Sequence, residues 1–328
     1  MKVTYGTTPK RKAIKETFEV FLEAVKNGDQ EKISNLVSEE CVADLSINGT
    51  HKGAKNVAKA FEWKGPKLDE KKFTVTNFVC RTKDHFAQQS AYIQVLLGHY
   101  ENGFLYPFEF GGEMVLSYEN KEDQWEITSI KFDMAWEKGN TYFAKEWKFI
   151  DYTQHKGGNN TIVSEYDAPW RVIPETDEEI SDVEKIADSF SRYAWGLDNT
   201  DFNISKSCFT EDVYAIMPHD NYSGARQLIS FFKNVNHKEA AVQHAARIVD
   251  ISFNDQRDQA VVEMFRIEPH RLGSKVLNKE NVHYNFYSAR YLCDMVKENG
   301  EWKFKKIDYK AKVFFEIPED ASMFIDEI

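Results

Sequence analysis

Apolar residues recur at helical spacing twice in this chain, in closely matching surroundings. Ile14, Phe18, Phe21, Leu22 and Val25 form one stripe; Val183, Ile186, Ala187, Phe190, Ala194 and Leu197 form another. Steps of three and four residues put each set on one face of a helix. Asn27-Gly28-Asp29 ends the first helix, because Gly and Asn tolerate the left-handed C-terminal conformation. Asn199-Thr200-Asp201 follows the second at an offset of 172 residues. The strand pattern Val42 to Ile47 is answered by Val213 to Met217. The turn Thr50-His51-Lys52-Gly53-Ala54 is answered by Asn221-Tyr222-Ser223-Gly224-Ala225, and each leads into a short helix closing on Phe61 or Phe232.

Strand patterns then dominate both halves. Phe73 to Val79 answers His244 to Asp250, and Phe86 to Leu97 answers Gln259 to Ile267. The hairpin of Met114 to Tyr118 and Gln124 to Ile127 answers that of Tyr291 to Val296 and Glu301 to Phe304. Asn299-Gly300 between two such runs is a strong hairpin signal. Helices first and strands last in each half predict an α+β fold. The expected domains are 10–150 and 179–317, joined by a linker at 151–178 that contains Gly157-Gly158-Asn159-Asn160. Trp170 is a candidate to dock the linker, and Thr176 or Asp177 to cap the next helix.

A length of 328 residues suits two such domains. A net charge of −11 argues against nucleic acid as partner, since phosphate binding needs a basic patch. The four cysteines lie far apart with no ligand spacing, and read as small buried thiols. No metal motif and no P-loop or dinucleotide fingerprint is present, so neither metal nor cofactor is expected. No membrane span or signal-peptide pattern is visible, and a cytoplasmic protein is expected.

Only the second copy carries candidate chemistry. Tyr193, Asp198 and His244 stand where the first copy has Phe21, Lys26 and Phe73. His titrates near working pH and suits a base. A carboxylate on its other ring nitrogen would fix the tautomer, and a buried Tyr hydroxyl could donate to a developing oxyanion. Five residues separate Tyr193 from Asp198, about 140° around a helix. Gly196 and Asn199 suggest that the helix is ending there, with Asp198 on a distorted last turn. Each member also has an ordinary reading: a core tyrosine, a turn aspartate, a structural histidine. Trp195, His219, His283 and Tyr287 are further pocket candidates, although Trp195 reads equally as core and His219 as a turn residue. Glu109 and Asp133 are isolated acids among aromatics, with no evident pairing.

The stretch Arg192 to Asp201 resembles the first-helix motif of the SnoaL-like branch of the NTF2-like superfamily. Gln243-His244, with the following strand and the turn at Asp255 to Asp258, resembles its catalytic-histidine strand. Ala289-Arg290-Tyr291 and Gly300 to Phe304 resemble its closing hairpin. The resemblance implies two tandem cones, each a curved, mostly antiparallel sheet wrapped around helices. It implies His244 as proton-transferring base, Asp198 as its orienting carboxylate and Tyr193 as hydrogen-bond donor. The trio is similar to that of bile-acid 7α-dehydratase and scytalone dehydratase. The implied activity is a cofactor-independent, dehydratase-like lyase or isomerase acting on an apolar, cyclic small molecule. Polyketide cyclase-like or dehydrochlorinase-like chemistry, and a non-catalytic binding or assembly role, are the alternatives. That family often carries an Arg on its last strand; here Lys305-Lys306-Ile307-Asp308-Tyr309-Lys310 leaves that role vacant or filled by a Lys. The two copies are expected to form an intrachain pseudo-dimer, with whole-chain homo-oligomers also possible.

Overall fold

Each apolar stripe becomes the central helix of its own α+β unit. The structure is a computed structural model that describes residues 8–63, 68–122, 124–144, 147–148, 162–236, 243–267 and 277–318. Described residues up to Ile180 belong to the first unit, and Ser181 onward to the second.

In the first unit α1 (Pro9–Asn27) and α2 (Gln30–Leu36) precede β1 (Val37–Leu45), β2 (Gly49–Lys52) and α3 (Ala54–Ala60). Four long strands follow: β3 (Glu70–Lys83), β4 (Phe86–Glu101), β5 (Phe104–Lys121) and β6 (Gln124–Gly139). They form one sheet of order β2-β1-β6-β5-β4-β3. Beyond it lies the short helix α4 (Pro169–Val172). The second unit repeats the scheme: α5 (Asp182–Asp198), α6 (Phe202–Ser207), β7 (Phe209–Ile216), β8 (Asn221–Ser223), α7 (Ala225–Asn236), β9 (Ala246–Phe253), β10 (Gln259–Ile267), β11 (Tyr284–Glu298) and β12 (Glu301–Pro318). Its sheet order is β8-β7-β12-β11-β10-β9, the same pattern. In both sheets only the pairing of the first strand with the last is parallel. Identical element order and strand order establish the duplication at the level of topology.

Local chemistry places the elements where the pattern predicts. The stripe of α1 is buried, and Gly28 ends that helix at φ 71° with its N–H on Ala24 and Val25 carbonyls. Asp29 caps α2 through Lys32 N–H, as Asp201 caps α6 through Asn203 and Ile204. The cap of α5 differs from expectation. Ser181 is the N-cap, in a reciprocal capping box with Glu184. Asp177 instead accepts Asp84 N–H at 2.8 Å and pairs with Lys10.

The described part of the predicted linker is fastened to the first sheet. Asp133 accepts the N–H groups of Ile162 at 2.7 Å and Val163 at 2.6 Å. Lys131 meets Asp167 at 2.7 Å, and Arg81 donates to Pro174 O at 2.9 Å. Asp133 is therefore an anchor for this segment. The Gly157 to Asn160 run lies outside the described residues.

One face of the second sheet packs on α5, and its register sets out successive rows across β9, β10, β11 and β12. Ile251, Val262, Cys293 and Ile307 form an apolar row. Next come Ile248, Met264, Tyr291 and Tyr309, then Ala246, Arg266, Ala289 and Ala311. The face thus passes from a packed core to small side chains around one cation. Ala311, at the end of the last row, is exposed.

Candidate active site

The site begins at the C-terminus of α5. This helix stays regular through Asp198: Asn199 N–H still bonds Trp195 O at 2.9 Å. The expected distortion is absent, and Gly196 has another job. A Cβ there would lie 2.4 Å from Ser205 Oγ and 2.7 Å from Ser205 N. Gly196 lets α6 pack against the last turn of α5, which sets where Asp198 projects.

Asp198 holds His244 twice. Its Oδ2 accepts the His244 backbone N–H at 2.8 Å, and its Oδ1 pairs with ring Nδ1. The neighbouring residues are fastened too. Gln243 O accepts from Arg266 Nη2 at 3.2 Å, and Ala245 O accepts from Ile267 N at 2.8 Å. Three consecutive residues are each held by a different group, which pre-organises the imidazole just before β9. Because Nδ1 faces a carboxylate, the N–H sits on Nδ1 and the lone pair on Nε2.

Tyr193 packs against the same ring, with centroids 6.3 Å apart at 66°. Tyr193 and Asp198 need not point the same way, since His244 receives one from the helix face and the other from the helix end. Phe209, Phe232 and Phe304 surround Tyr193, and Phe190 links it to Tyr291. Burial pushes the Tyr193 hydroxyl well above its usual range, with Cys293, Tyr309 and Asp198 adding to the effect and Arg266 opposing it. Tyr193 therefore stays protonated and can only act as a neutral hydroxyl.

The other candidates are not gathered here. Trp195 is buried but lies about 200° around the helix from Tyr193. His219 is exposed in the turn after β7, and His283 is exposed just before β11. The side chain of Tyr287 lies outside the described residues. Lys306 and Lys310 are exposed, and Lys305 pairs with Asp212, so the last strand brings no lysine to His244. Sequence reasoning missed Arg266, although Ala260, Val262, Met264 and Arg266 alternate on the inward face of β10. Among the described residues, no three His, Cys, Asp or Glu side chains gather as a metal site. No helix among them is long and apolar enough to cross a membrane.

The first unit shows what the same geometry holds without these groups. Its register aligns Val75, Ile93, Gly112 and Met134 with Ala246, Arg266, Ala289 and Ala311. Met114 and Phe132 likewise answer Tyr291 and Tyr309. Phe73, in the place of His244, packs on Trp63, which meets Trp147; Trp147 covers Phe110, and Phe110 packs on Phe132. A Cβ on Gly112 would lie 2.7 Å from the Phe132 ring. Aromatic rings fill this end of the first unit. Its buried Glu109, whose carboxyl burial raises to about 8, sits on the opposite face of the sheet from Phe110.

Residues 178–308 match the family model for the SnoaL-like domain. The match falls on the second unit, and the chain carries two α+β units of one topology. No curated protein matches the chain. Among solved structures, a protein of Novosphingobium aromaticivorans provisionally named scytalone dehydratase is 12% identical, with a TM-score of 0.36 over 40% of this chain and 87% of its own. A hexachlorocyclohexane dehydrochlorinase of Novosphingobium barchaimii is 14% identical, with a TM-score of 0.34 over 40% and 90%. An NTF2-like protein with a cystatin-like fold, from Novosphingobium aromaticivorans, is 16% identical, with a TM-score of 0.32 over 37% and 79%. Scores of this size carry no argument about chemistry.

Proposed function

We propose that the second unit is an acid–base active site that eliminates water from, or isomerises, an apolar cyclic small molecule. The observation that carries this reading is the double hold of Asp198 on His244. It commits a part-buried carboxylate to fixing the place and the tautomer of one imidazole, which a merely structural histidine does not require. The match to the SnoaL-like domain, a family that includes dehydratase-like enzymes, supports the same class.

The chemistry follows from the geometry. His244 Nε2 takes a proton from a carbon next to a carbonyl or other acidifying group. The C–H electron pair forms the double bond as the C–O bond to the departing hydroxyl breaks. The leaving oxygen recovers a proton from the imidazolium or a water, so the elements of water depart. Asp198 stabilises the imidazolium between the two steps. The neutral Tyr193 hydroxyl donates to the oxygen that gains charge. Omitting the leaving group converts the same proton transfer into an isomerisation. Chloride loss and ring closure use the same base with another electron acceptor.

Cyclic β-hydroxy ketones, which give a conjugated enone absorbance on losing water, test the reading. Wild type should produce that signal, and His244→Ala should lose it with an unchanged circular dichroism spectrum. Equal activity in the variant would refute the role of His244. The aromatic filling of the first unit supports a scaffold role there rather than a second active site.

A further inference from the structure

Tyr193 is one of three tyrosines in the same neighbourhood of the second unit, and no step above uses the other two. Tyr291 and Tyr309 share a row of the sheet, with ring centroids 4.7 Å apart. Phe190 bridges Tyr291 to Tyr193, at 5.9 and 5.8 Å, and Tyr193 lies against His244. Tyr193 and Tyr291 each respond electrostatically to Tyr309, and Tyr291 responds to Tyr193, so the hydroxyls lie close together.

Tyr193 is 2% exposed and Tyr291 3%. Among the described residues, neither hydroxyl has a hydrogen-bond partner in the protein. Buried polar groups without a partner are exceptions, and each one asks for an account. The first unit shows how a structural tyrosine is built in: buried Tyr118 donates to Gln89 Oε1 at 2.8 Å. Burial keeps the Tyr291 hydroxyl protonated, with Tyr193 and Tyr309 adding to the effect and Arg266 opposing it, so it can donate.

The comparison of the halves isolates the oxygens. Phe21 answers Tyr193, Met114 answers Tyr291 and Phe132 answers Tyr309. All three positions stay large and apolar in the first unit; what it lacks is the hydroxyls. Packing alone is met by the apolar residues, so the oxygens of the second unit serve something else. A neutral donor suits an oxygen that is uncharged on binding and gains charge during reaction.

We propose that Tyr291 is a substrate-contacting donor, whose hydroxyl holds the carbonyl oxygen of a cyclic β-hydroxy ketone while Tyr193 serves the departing hydroxyl. The proposal rests on the reading of this site as one of elimination, and it names the oxygen pattern of the substrate. When His244 takes the proton beside the carbonyl, the C–H electron pair moves into an enolate. Its charge sits on the oxygen held by Tyr291, which keeps its own proton. The pair then returns to form the conjugated double bond and expels hydroxide, which leaves as water with the proton from the imidazolium.

The carbonyl stretch of a bound ketone reads this contact directly. Cyclohex-2-en-1-one, ¹³C-labelled at the carbonyl, is bound to the full-length protein and followed by isotope-edited infrared difference spectroscopy, with fold checked by thermal melting. Wild type should lower the stretch well below its position in an apolar solvent. Tyr291→Phe should shift it back up, whereas Tyr118→Phe and His244→Ala should leave it in place. With 3-hydroxycyclohexan-1-one as substrate, Tyr291→Phe should lower kcat about a hundredfold. Its melting temperature should hold, since no bond within the protein is lost; Tyr118→Phe should lower it. A wild-type stretch no lower than in the apolar solvent, or no binding, overturns the proposal even if no variant folds. An equal stretch in wild type and Tyr291→Phe also overturns it. A stretch that depends on Tyr291, with no loss of water from 3-hydroxycyclohexan-1-one, would sink the elimination reading and leave the carbonyl contact standing.

Discussion

Asp198 spends both carboxylate oxygens on His244, one on its backbone N–H and one on its ring. This makes the aspartate a device for position and tautomer at once. Asp198→Asn should separate the two. An amide oxygen can still accept the backbone N–H, but its NH₂ group now faces Nδ1 and demands the opposite tautomer. Turnover should fall about 10²-fold or more, with only a small loss of stability. Imidazole ¹⁵N shifts should show the proton moving from Nδ1 to Nε2. Unchanged shifts would contradict the assigned tautomer.

Tyr193→Phe removes the donor and keeps the aromatic cluster. The melting temperature should change little, since one hydroxyl is worth about 1 kcal/mol. Turnover with a hydroxyl leaving group should drop more than substrate affinity, so kcat should fall while KM stays near wild type. A variant with full kcat would reduce Tyr193 to packing.

Alkaline pH should unfold the protein through its tyrosines. Burial raises the hydroxyls of Tyr118, Tyr193 and Tyr291 above their ordinary value of 10.0. A raised pKa in the fold means that the stability is present below pH 10 and is lost as pH climbs beyond it. Melting temperature measured from pH 8 to 11.5 should hold and then fall. Tyr291→Phe should soften the fall for the second unit. A flat profile to the top of that range would contradict the burial of these hydroxyls.

Gly196→Ala should strike the site through the backbone. The added methyl meets Ser205 N at 2.7 Å and Asp201 O at 2.8 Å, and neither can rotate away. The strain should cost about 1–3 kcal/mol and lower the melting temperature. Activity should fall further than stability explains, because Asp198 sits two residues on. Adding Ser205→Ala should restore little, since the backbone contacts persist.

Asp133→Ala tests the first unit alone. It strips an acceptor from the Ile162 and Val163 N–H groups. Limited proteolysis should speed up between residues 162 and 173, with a stability loss of about 1–3 kcal/mol. Asp133→Asn, which keeps an acceptor oxygen, should do less.

Much of this was legible in the residues. The two stripes, the helix end at Gly28 and the Asn-Gly hairpin are local signals, and the structure follows them. Tyr193, Asp198 and His244 stood out through the comparison of the halves and through the resemblance to the SnoaL-like branch; no local signal in the chain pairs them. Arg266 was overlooked because its meaning depends on register. Strand pairing shifts between Glu263 and Met264, and only then does Arg266 fall between Ala246 and Ala289. Gly196 read as a helix end because close approach of two helices leaves no mark in one of them. Ser181-Asp182-Val183-Glu184 does carry a capping signature, but the acids just before it compete for notice.

Proton transfer itself is the most direct test of the central claim. A carbon acid of the predicted class, such as 3-hydroxycyclohexan-1-one, is incubated in D₂O with wild type and with His244→Ala. The wild type should wash deuterium into the position beside the carbonyl, or release water, at rates well above buffer. The variant, equally folded, should match buffer. Exchange or dehydration that is the same in both proteins would contradict the assignment of His244 as the base, and with it the account of the second unit as an active site.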